Sequence, residues 1–332
     1  QQALYLVRDR YGIKPLYWGS FDGTLLFGSE QKALMAHESA KKALDKQALL
    51  EYFTFQNLFT QRTLFEGVSL LAPGSIARFD LASQGKPTIE QYWDFHFCEP
   101  SVSDGKIDPR EYREELDRLM QQAVNRQLVS DVELGSYLSG GMDSGALTAL
   151  AAKQLPYIKT FTCGFDLSSA SGIELAFDER QRAEAMSAKF KTEHYEMVLK
   201  AGDMERCIPK LAFHLEEPRV GQSYPNYYAA QLASKFVKVV LSGAGGDEMF
   251  AGYPWRYYRA AVCDDFDHYV DQYYGFWQRL IESKNMKNVF APIWPDVEGV
   301  SSKKIFRDVF KHHSNQLEKP EDYINHSLYF AK

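Results

Sequence analysis

Over its first hundred residues the chain alternates apolar and polar positions in short runs, the pattern of half-buried strands. Ala3 to Val7 is one such run. Arg8-Asp-Arg-Tyr-Gly-Ile-Lys-Pro-Leu-Tyr-Trp18 reads as a turn and a second strand, and Phe21-Asp-Gly-Thr24 as a hairpin turn into a third, Leu25 to Phe27. Asp-Gly suits that turn because its central residues need positive φ. Glu30 to His37 predicts a short helix, and Asp45 is a good N-cap for a helix running to about Phe55. Thr63 to Leu70 leads to the turn Ala72-Pro-Gly-Ser75, after which Ser75 to Asp80 alternates as a strand. Thr88 to Phe97 is an aromatic-rich extended segment, and the polar stretch Glu99-Pro-Ser-Val-Ser-Asp-Gly-Lys106 has the composition of a linker.

Beyond the linker the period changes. Pro109 to Ser130 is helical, with Leu116, Leu119, Met120, Val124 and Leu128 at helical spacing. Strand and helix then alternate: Val132 to Leu138, Asp143 to Lys153, Tyr157 to Phe165, Asp178 to Lys189 and Glu193 to Leu199. Helices around Met204 to His214 and Pro225 to Ser234 precede a last strand, Phe236 to Leu241. Such alternation predicts an α/β fold, a parallel sheet with helices on both faces, and ligands in such sheets bind at the carboxyl ends of the strands.

Composition narrows the class without naming a chemistry. The chain has 332 residues, enough for two domains, with 45% hydrophobic and 25% charged residues, the proportions of an ordinary soluble globular protein. A formal charge of −6 disfavours a general nucleic-acid binder. Cys98, Cys163, Cys207 and Cys263 lie far apart with no C-x-x-C pair, so neither a disulfide framework nor a zinc site is suggested and a reducing cytoplasm fits. No apolar run is long enough to span a bilayer, and no signal peptide is evident.

The candidate chemistry lies at two strand ends. In Leu134-Gly-Ser-Tyr-Leu-Ser-Gly-Gly-Met-Asp-Ser-Gly145 a strand feeds a Ser/Gly turn that feeds a helix. α/β proteins build anion sites this way, because the glycines admit a close ligand and the helix start presents free N–H groups. No Lys follows in Walker A position and no G-x-G-x-x-G occurs, so a Walker phosphate loop and a dinucleotide fold lack support. Leu241-Ser-Gly-Ala-Gly-Gly-Asp-Glu-Met-Phe-Ala-Gly-Tyr253 repeats the logic. Two such loops at neighbouring strand ends would bring Asp143 and Asp247 to one metal, since paired carboxylates repel without a cation between them. Each loop taken alone is also compatible with an ordinary strand–helix turn or a surface loop. Glu248 is assigned no catalytic role.

Ser139-Gly-Gly-Met-Asp-Ser144 resembles the pyrophosphate loop of the N-type ATP pyrophosphatases. Together with the 241–253 segment, with Arg8-Asp-Arg-Tyr-Gly-Ile-Lys-Pro-Leu-Tyr17, Phe27-Gly-Ser-Glu30, Leu71-Ala-Pro-Gly74, Phe177-Asp-Glu179 and Glu216-Glu-Pro218, it resembles the glutamine-hydrolysing asparagine synthetase family. The resemblance covers the chain up to about Tyr258. It implies residues 1–98 as the β-rich C-terminal remnant of an N-terminal-nucleophile glutaminase domain, 99–106 as linker and 107–332 as an adenine nucleotide alpha hydrolase-like synthetase domain. The implied activity uses ATP and Mg2+ to adenylate the side-chain carboxylate of aspartate, after which glutamine-derived ammonia displaces AMP to give asparagine. By matching position, Leu138, Cys163, Ser242 and Gly243 would contact the nucleotide, Cys163 through its backbone. Ser139, Gly140, Gly141 and Ser144 would hold pyrophosphate, and Asp143 and Asp247 would bind Mg2+. The implied partners are small molecules in the cytoplasm, with no nucleic acid or membrane, and a homodimer is left open.

Three departures change what is expected. Residue 1 is Gln where the family's mature chain begins with its nucleophilic Cys, so the chain as given is expected not to hydrolyse glutamine. Ala244 stands where well-known asparagine synthetases carry Glu, which reopens the identity of the acceptor. The chain also stops at Lys332, before the family's Lys-bearing segment, so both ends are expected to be missing. Two alternatives therefore stay open: an amidotransferase or amide-forming cyclase of the same fold acting on another carboxylate, and an inactive nucleotide-binding scaffold. Of the remaining conspicuous residues, Trp255 to Arg259 read as helix packing, His312-His313 as no metal site, Asp264, Asp265 and Asp267 as a solvated face, and Glu216-Glu217-Pro218 as a helix end or a substrate-ordering loop.

Overall fold

A computed structural model describes residues 3–80, 86–95, 108–168, 178–218, 223–250, 252–253, 263 and 265–310. Its contacts group into two compact units, one of Gln1–Phe97, Glu216–Arg219 and Tyr253–Lys332, the other of Cys98–Leu215 and Val220–Gly252. The compact units thus do not follow the chain linearly, and each is described by itself. The predicted linker, Trp255 to Arg259, Asp264 and His312-His313 lie outside the described residues.

The first unit holds two three-stranded antiparallel sheets. β1 (Ala3–Val7), β5 (Ser75–Asp80) and β6 (Thr88–Gln91) form one, in the order β1-β5-β6. β2 (Tyr17–Phe21), β3 (Thr24–Gly28) and β4 (Ser69–Leu70) form the other, in the order β3-β2-β4. The predicted hairpin turn is there, with φ of 48° at Asp22 and 81° at Gly23. Leu6, Leu71, Ala77 and Phe79 form the core of the unit around the first sheet. Of the segment from Thr63 to Leu70, Ser69–Leu70 is strand, and the Thr63 hydroxyl donates to the Phe65 and Val68 carbonyls.

Helix α1 (Gln31–Met35) lacks a side-chain cap from Glu30. Its first N–H groups are met instead by Glu216, whose carboxylate accepts from Gln31 N at 2.6 Å and Lys32 N at 2.7 Å and pairs with Lys32 Nζ at 3.3 Å. An acid at a helix start satisfies orphan donors and complements the helix dipole. Glu216 takes φ of 59° to get there, so the Glu216-Glu217-Pro218 segment ends a helix and then works as a remote cap. Helix α2 (Lys46–Phe55) starts as predicted, with Asp45 accepting from Gln47 N and Ala48 N, both at 2.9 Å. Against α2 pack α9 (Phe266–Trp277), α10 (Ser283–Val289), α11 (Trp294–Val297) and α12 (Ser302–Asp308): Phe55 is buried with Tyr269, Tyr273 and Phe306, and Leu50 with Met286, Phe290 and Val297. Asp265 caps α9 at His268 N, and exposed Asp267 pairs with Arg307 at 2.6 Å.

The second unit is the predicted α/β layer. α3 (Pro109–Gln127) leads to β7 (Leu134–Tyr137), α4 (Met142–Gln154), β8 (Lys159–Phe165), α5 (Arg180–Phe190), β9 (Glu193–Leu199), α6 (Asp203–Leu215), α7 (Ser223–Ala233), β10 (Val239–Leu241) and α8 (Gly246–Met249). The strands lie in the order β10-β7-β8-β9, and every pairing is parallel. Helices cover both faces: Val240 packs into a cluster with Phe161, Leu232 and Val237, while the next residue, Leu241, packs with Val124, Ala151 and Ile158. Alternate strand positions must face opposite ways, so the two clusters are the two faces. β7, β8 and β10 are shorter than their apolar runs. Val132 is held in a turn by the Ser130 hydroxyl, and Tyr157 sits at φ 61°, outside β geometry. The chain runs β7 to β8 to β9 outward, then returns to add β10 on the other side of β7. The strand order therefore reverses at the β10–β7 pair, the place where open α/β sheets bind ligands.

Candidate functional site

The two loops that leave β7 and β10 at this reversal touch. Asp247 N–H donates to Asp143 Oδ2 at 3.1 Å. A Cβ on Gly246 would lie 2.5 Å from Asp143 Oδ2, and one on Gly243 would lie 2.7 Å from Ser144 N. Neither distance leaves room for a side chain, so glycine at these positions is what lets the second loop close over the start of α4. The sequence placed both loops at strand ends, and the parallel β10–β7 pairing makes those ends neighbours.

The first loop is held by its own serines. Ser139 Oγ and Ser144 Oγ are 3.0 Å apart, Ser139 N–H donates to Ser144 Oγ at 3.2 Å, and Gly141 N–H donates to Ser139 Oγ at 3.4 Å. Ser144 is buried and also reaches Gly141 O at 3.3 Å, whereas Ser139 is exposed. Gly140 has φ of 79°, a conformation that favours glycine, and a Cβ there would sit 2.5 Å from Arg182 Cβ. Gly141 is the N-cap of α4 and has no side chain to satisfy the first helical N–H groups, so these stay turned toward the loop.

Behind the loop, Leu138 is fully buried and locked to β8: its N–H donates to Phe161 O at 3.0 Å and its carbonyl accepts from the Thr162 hydroxyl. Cys163 follows in β8, half-buried. Burial, with the charge of Asp203 second, pushes its thiol up to about 12, so it stays protonated and is no nucleophile. In the second loop Ser242 is exposed and accepts from Ala244 N–H at 3.3 Å, and Gly243 is half-buried. Leu138, Ser139, Gly140, Gly141, Asp143, Ser144, Ser242, Gly243 and Asp247 thus belong to one pair of adjoining loops, with Cys163 on the neighbouring strand.

The electrostatics centre on Asp143. Burial, then the charge of Asp247, raises its pKa; Glu248 pushes the same way and the Asp247 N–H opposes. Two carboxylates with one donor between them are a donor set for a hard cation, and Mg2+ is typically held by one or two carboxylates plus phosphate oxygens. The residues therefore fit Mg2+ delivered with a phosphate ligand. Among the described residues no group of three or more His, Cys, Asp or Glu would hold a metal unaided.

Glu179, the last residue of the Phe177-Asp-Glu179 motif and just before α5, is half-buried; burial raises its pKa, while Arg182 and Ser139 pull it back. In the sequence it has a place in the motif and no role at the loop. A recess in the first unit, lined by Tyr52, Gln56, Asn57, Leu58, Leu64, Glu217 and Pro218, contains none of these residues. No described helix is long and apolar enough to cross a membrane.

The sequence is similar to known proteins. A family model described as asparagine synthase matches residues 115–331, and one described as a glutamine amidotransferase domain matches residues 1–93. Asparagine synthetase (glutamine-hydrolyzing) 1 of Bacillus subtilis is 33% identical over 252 residues, 76% of this chain and 38% of that protein. A putative asparagine synthetase (glutamine-hydrolyzing) of Mycobacterium tuberculosis H37Rv is 34% identical over 256 residues, again 76% of this chain and 38% of the relative. A second putative one, from Methanocaldococcus jannaschii, is 28% identical over 332 residues, 98% of this chain and 58% of its own length. The chain thus spans less than two thirds of each of these relatives. The asparagine synthase match runs through both strand-end loops and most of the chain, and on that basis the chain belongs to the asparagine synthase family.

Proposed function

We propose that this chain carries the synthetase chemistry of its family: ATP-dependent conversion of the aspartate side-chain carboxylate to an amide, with AMP and pyrophosphate released. The observation that carries the reading is the contact between the loops, with Asp247 N–H on Asp143 Oδ2 at 3.1 Å. It supports one site for a triphosphate and its cation at the strand-order reversal. Three relatives named asparagine synthetase support aspartate over the other acceptors considered.

In this reading Ser139, Ser144 and the N–H groups of Gly140 and Gly141 hold the β and γ phosphates. Leu138, Cys163, Ser242 and Gly243 line the nucleotide, Cys163 through its backbone. Asp143 and Asp247 would hold Mg2+, which would neutralise phosphate charge. A carboxylate oxygen attacks the α phosphorus, the bond to the bridging oxygen breaks, and pyrophosphate leaves with that electron pair. Loop donors aimed at the leaving group stabilise the charge that develops there. Ammonia then attacks the acyl carbon, AMP departs, and a proton is lost. Glutamine supplies the ammonia, in the cytoplasm.

The test is isotope exchange between pyrophosphate and ATP in the full-length protein, run with aspartate and with other carboxylic acids. Aspartate-dependent exchange is the expected result. Exchange with another acid only would move the acceptor, as Ala244 would then explain, and no exchange with bound ATP would leave a nucleotide-binding scaffold.

A further inference from the structure

The first turn of α5 carries two arginines in different employment. Arg180 is spent on the fold. Its guanidinium donates to Asp178 Oδ1 at 3.0 Å and Oδ2 at 2.6 Å, and to Phe165 O at 2.7 Å. Arg182 is exposed, and its guanidinium makes no hydrogen bond or ion pair among the described residues. Glu179 lies three residues before it, a spacing at which helical side chains meet, and feels its charge without pairing with it.

Packing fixes where Arg182 starts. Gly140, at φ 79°, lies so close to this turn that an added Cβ would fall 2.5 Å from Arg182 Cβ and 3.2 Å from Ala183 N. The arginine stem therefore begins against the wall of the 139–144 loop, with the reach to meet an anion on the loop's N–H groups. The loop's acid lies toward the second loop, where Gly243 and Gly246 crowd Asp143. Acid and arginine thus approach the loop from different elements. Charge gives the arginine work to do. A triphosphate would add several negative charges to those of Asp143, Asp247 and Glu248, more than one divalent cation offsets. A guanidinium matches phosphate oxygens two at a time, and it is not held by any carboxylate here.

We propose that Arg182 is a pyrophosphate-binding residue, its guanidinium taking the β and γ phosphate oxygens that the 139–144 loop holds. The inference rests on the assignment of that loop to pyrophosphate in the proposed function. Arg182 then favours ATP binding and stabilises the leaving group, and AMP, which lacks those phosphates, does not feel it.

The experiment uses the full-length enzyme and its Arg182→Gln and Arg182→Lys variants. Both keep the Cβ that packs on Gly140, and thermal unfolding checks the fold. The readouts are the inhibition constants of pyrophosphate and of AMP, with ATP–pyrophosphate exchange. Arg182→Gln should raise the pyrophosphate constant by about tenfold, the scale of one lost charge-assisted contact, and leave the AMP constant and the aspartate KM within about twofold. Arg182→Lys, which keeps the charge and loses the fork, should fall between Gln and the parent. A merely structural role would weaken pyrophosphate and AMP together. That result, or an unchanged or lowered pyrophosphate constant for Arg182→Gln, in a parent enzyme that does exchange, overturns this inference alone. A parent enzyme that exchanges with no carboxylate overturns the proposed function and this inference with it.

Discussion

Two carboxyls, Glu51 in α2 and Asp143 in α4, are both pushed up in pKa chiefly by burial, and their surroundings differ. Glu51 is fully buried and accepts three hydrogen bonds, from Phe59 N at 2.5 Å, Thr60 N at 2.9 Å and Thr60 Oγ1 at 2.7 Å, while the charge of Arg62 also favours its ionised form. Asp143 has a single backbone donor, and its charged neighbours Asp247 and Glu248 push in the same direction as burial. A fold that needed Asp143 for its own stability would surround it with donors, as it does Glu51. It surrounds it with acids instead. An acid satisfied from within holds the chain in place, and one left facing its like is arranged for something positive brought from outside.

Exchanging the two acids for alanine should separate these roles most sharply. Asp143→Ala should lower Mg2+-dependent ATP–pyrophosphate exchange by about a thousandfold, the size of a lost charge-stabilising group at a phosphoryl centre, with the fold kept. If that variant adenylates normally, the metal assignment is wrong. Glu51→Ala should do the reverse, costing about 2–4 kcal/mol in urea unfolding because two part-buried N–H groups and a hydroxyl lose their acceptor. A Glu51→Ala protein as stable as the parent would break the comparison from the other side.

A finer cut compares neighbouring glycines in the second loop. Gly246→Ala would place a Cβ 2.5 Å from Asp143 Oδ2, so Asp143 must move; exchange should fall by about thirtyfold, roughly 2 kcal/mol. Gly245 has φ of 102° and nothing within 4 Å of a Cβ, so Gly245→Ala strains the backbone without crowding the acid. It should cost about 1–2 kcal/mol of stability and leave exchange within about threefold. Equal exchange losses in the two variants would show that loop flexibility, and not the placement of Asp143, controls the chemistry.

What the sequence disclosed and what it hid divide along the same physical line. Local signals were legible: Asp-Gly at 22–23 makes the turn, Asp45 caps α2, and both Ser/Gly loops leave strand ends. The order β10-β7-β8-β9 was not, because alternation fixes that strands are parallel and says nothing of which are neighbours. Strand starts were read too early where a backbone at positive φ, as at Tyr157, interrupts an apolar run. Glu216 was legible as a helix end or loop residue but not as the cap of α1. It acts on Gln31, far along the chain, so no window of sequence contains both partners.

The smallest expected effect is the pH dependence that Glu51 imposes on stability. Its folded pKa lies above the ordinary carboxylate value, so between that value and the raised one the folded chain keeps a proton that the unfolded chain has released. The folded state then binds more protons, and stability must fall as pH rises through this window. The contribution is full below the unfolded value and lost above the folded one. Glu51→Gln removes the ionisation and keeps the acceptor for Phe59 N and Thr60 N, while its amide can donate to Thr60 Oγ1. Its unfolding free energy relative to the parent should therefore rise as pH is taken from about 4 to 8, by about 1 kcal/mol or less once the opposing hydrogen bonds are counted. Urea midpoints of the two proteins across that range measure the difference. A difference that shrinks with rising pH would mean that the three donors outweigh burial and that Glu51 is held charged, which would bring the two carboxyls closer in kind than their surroundings imply.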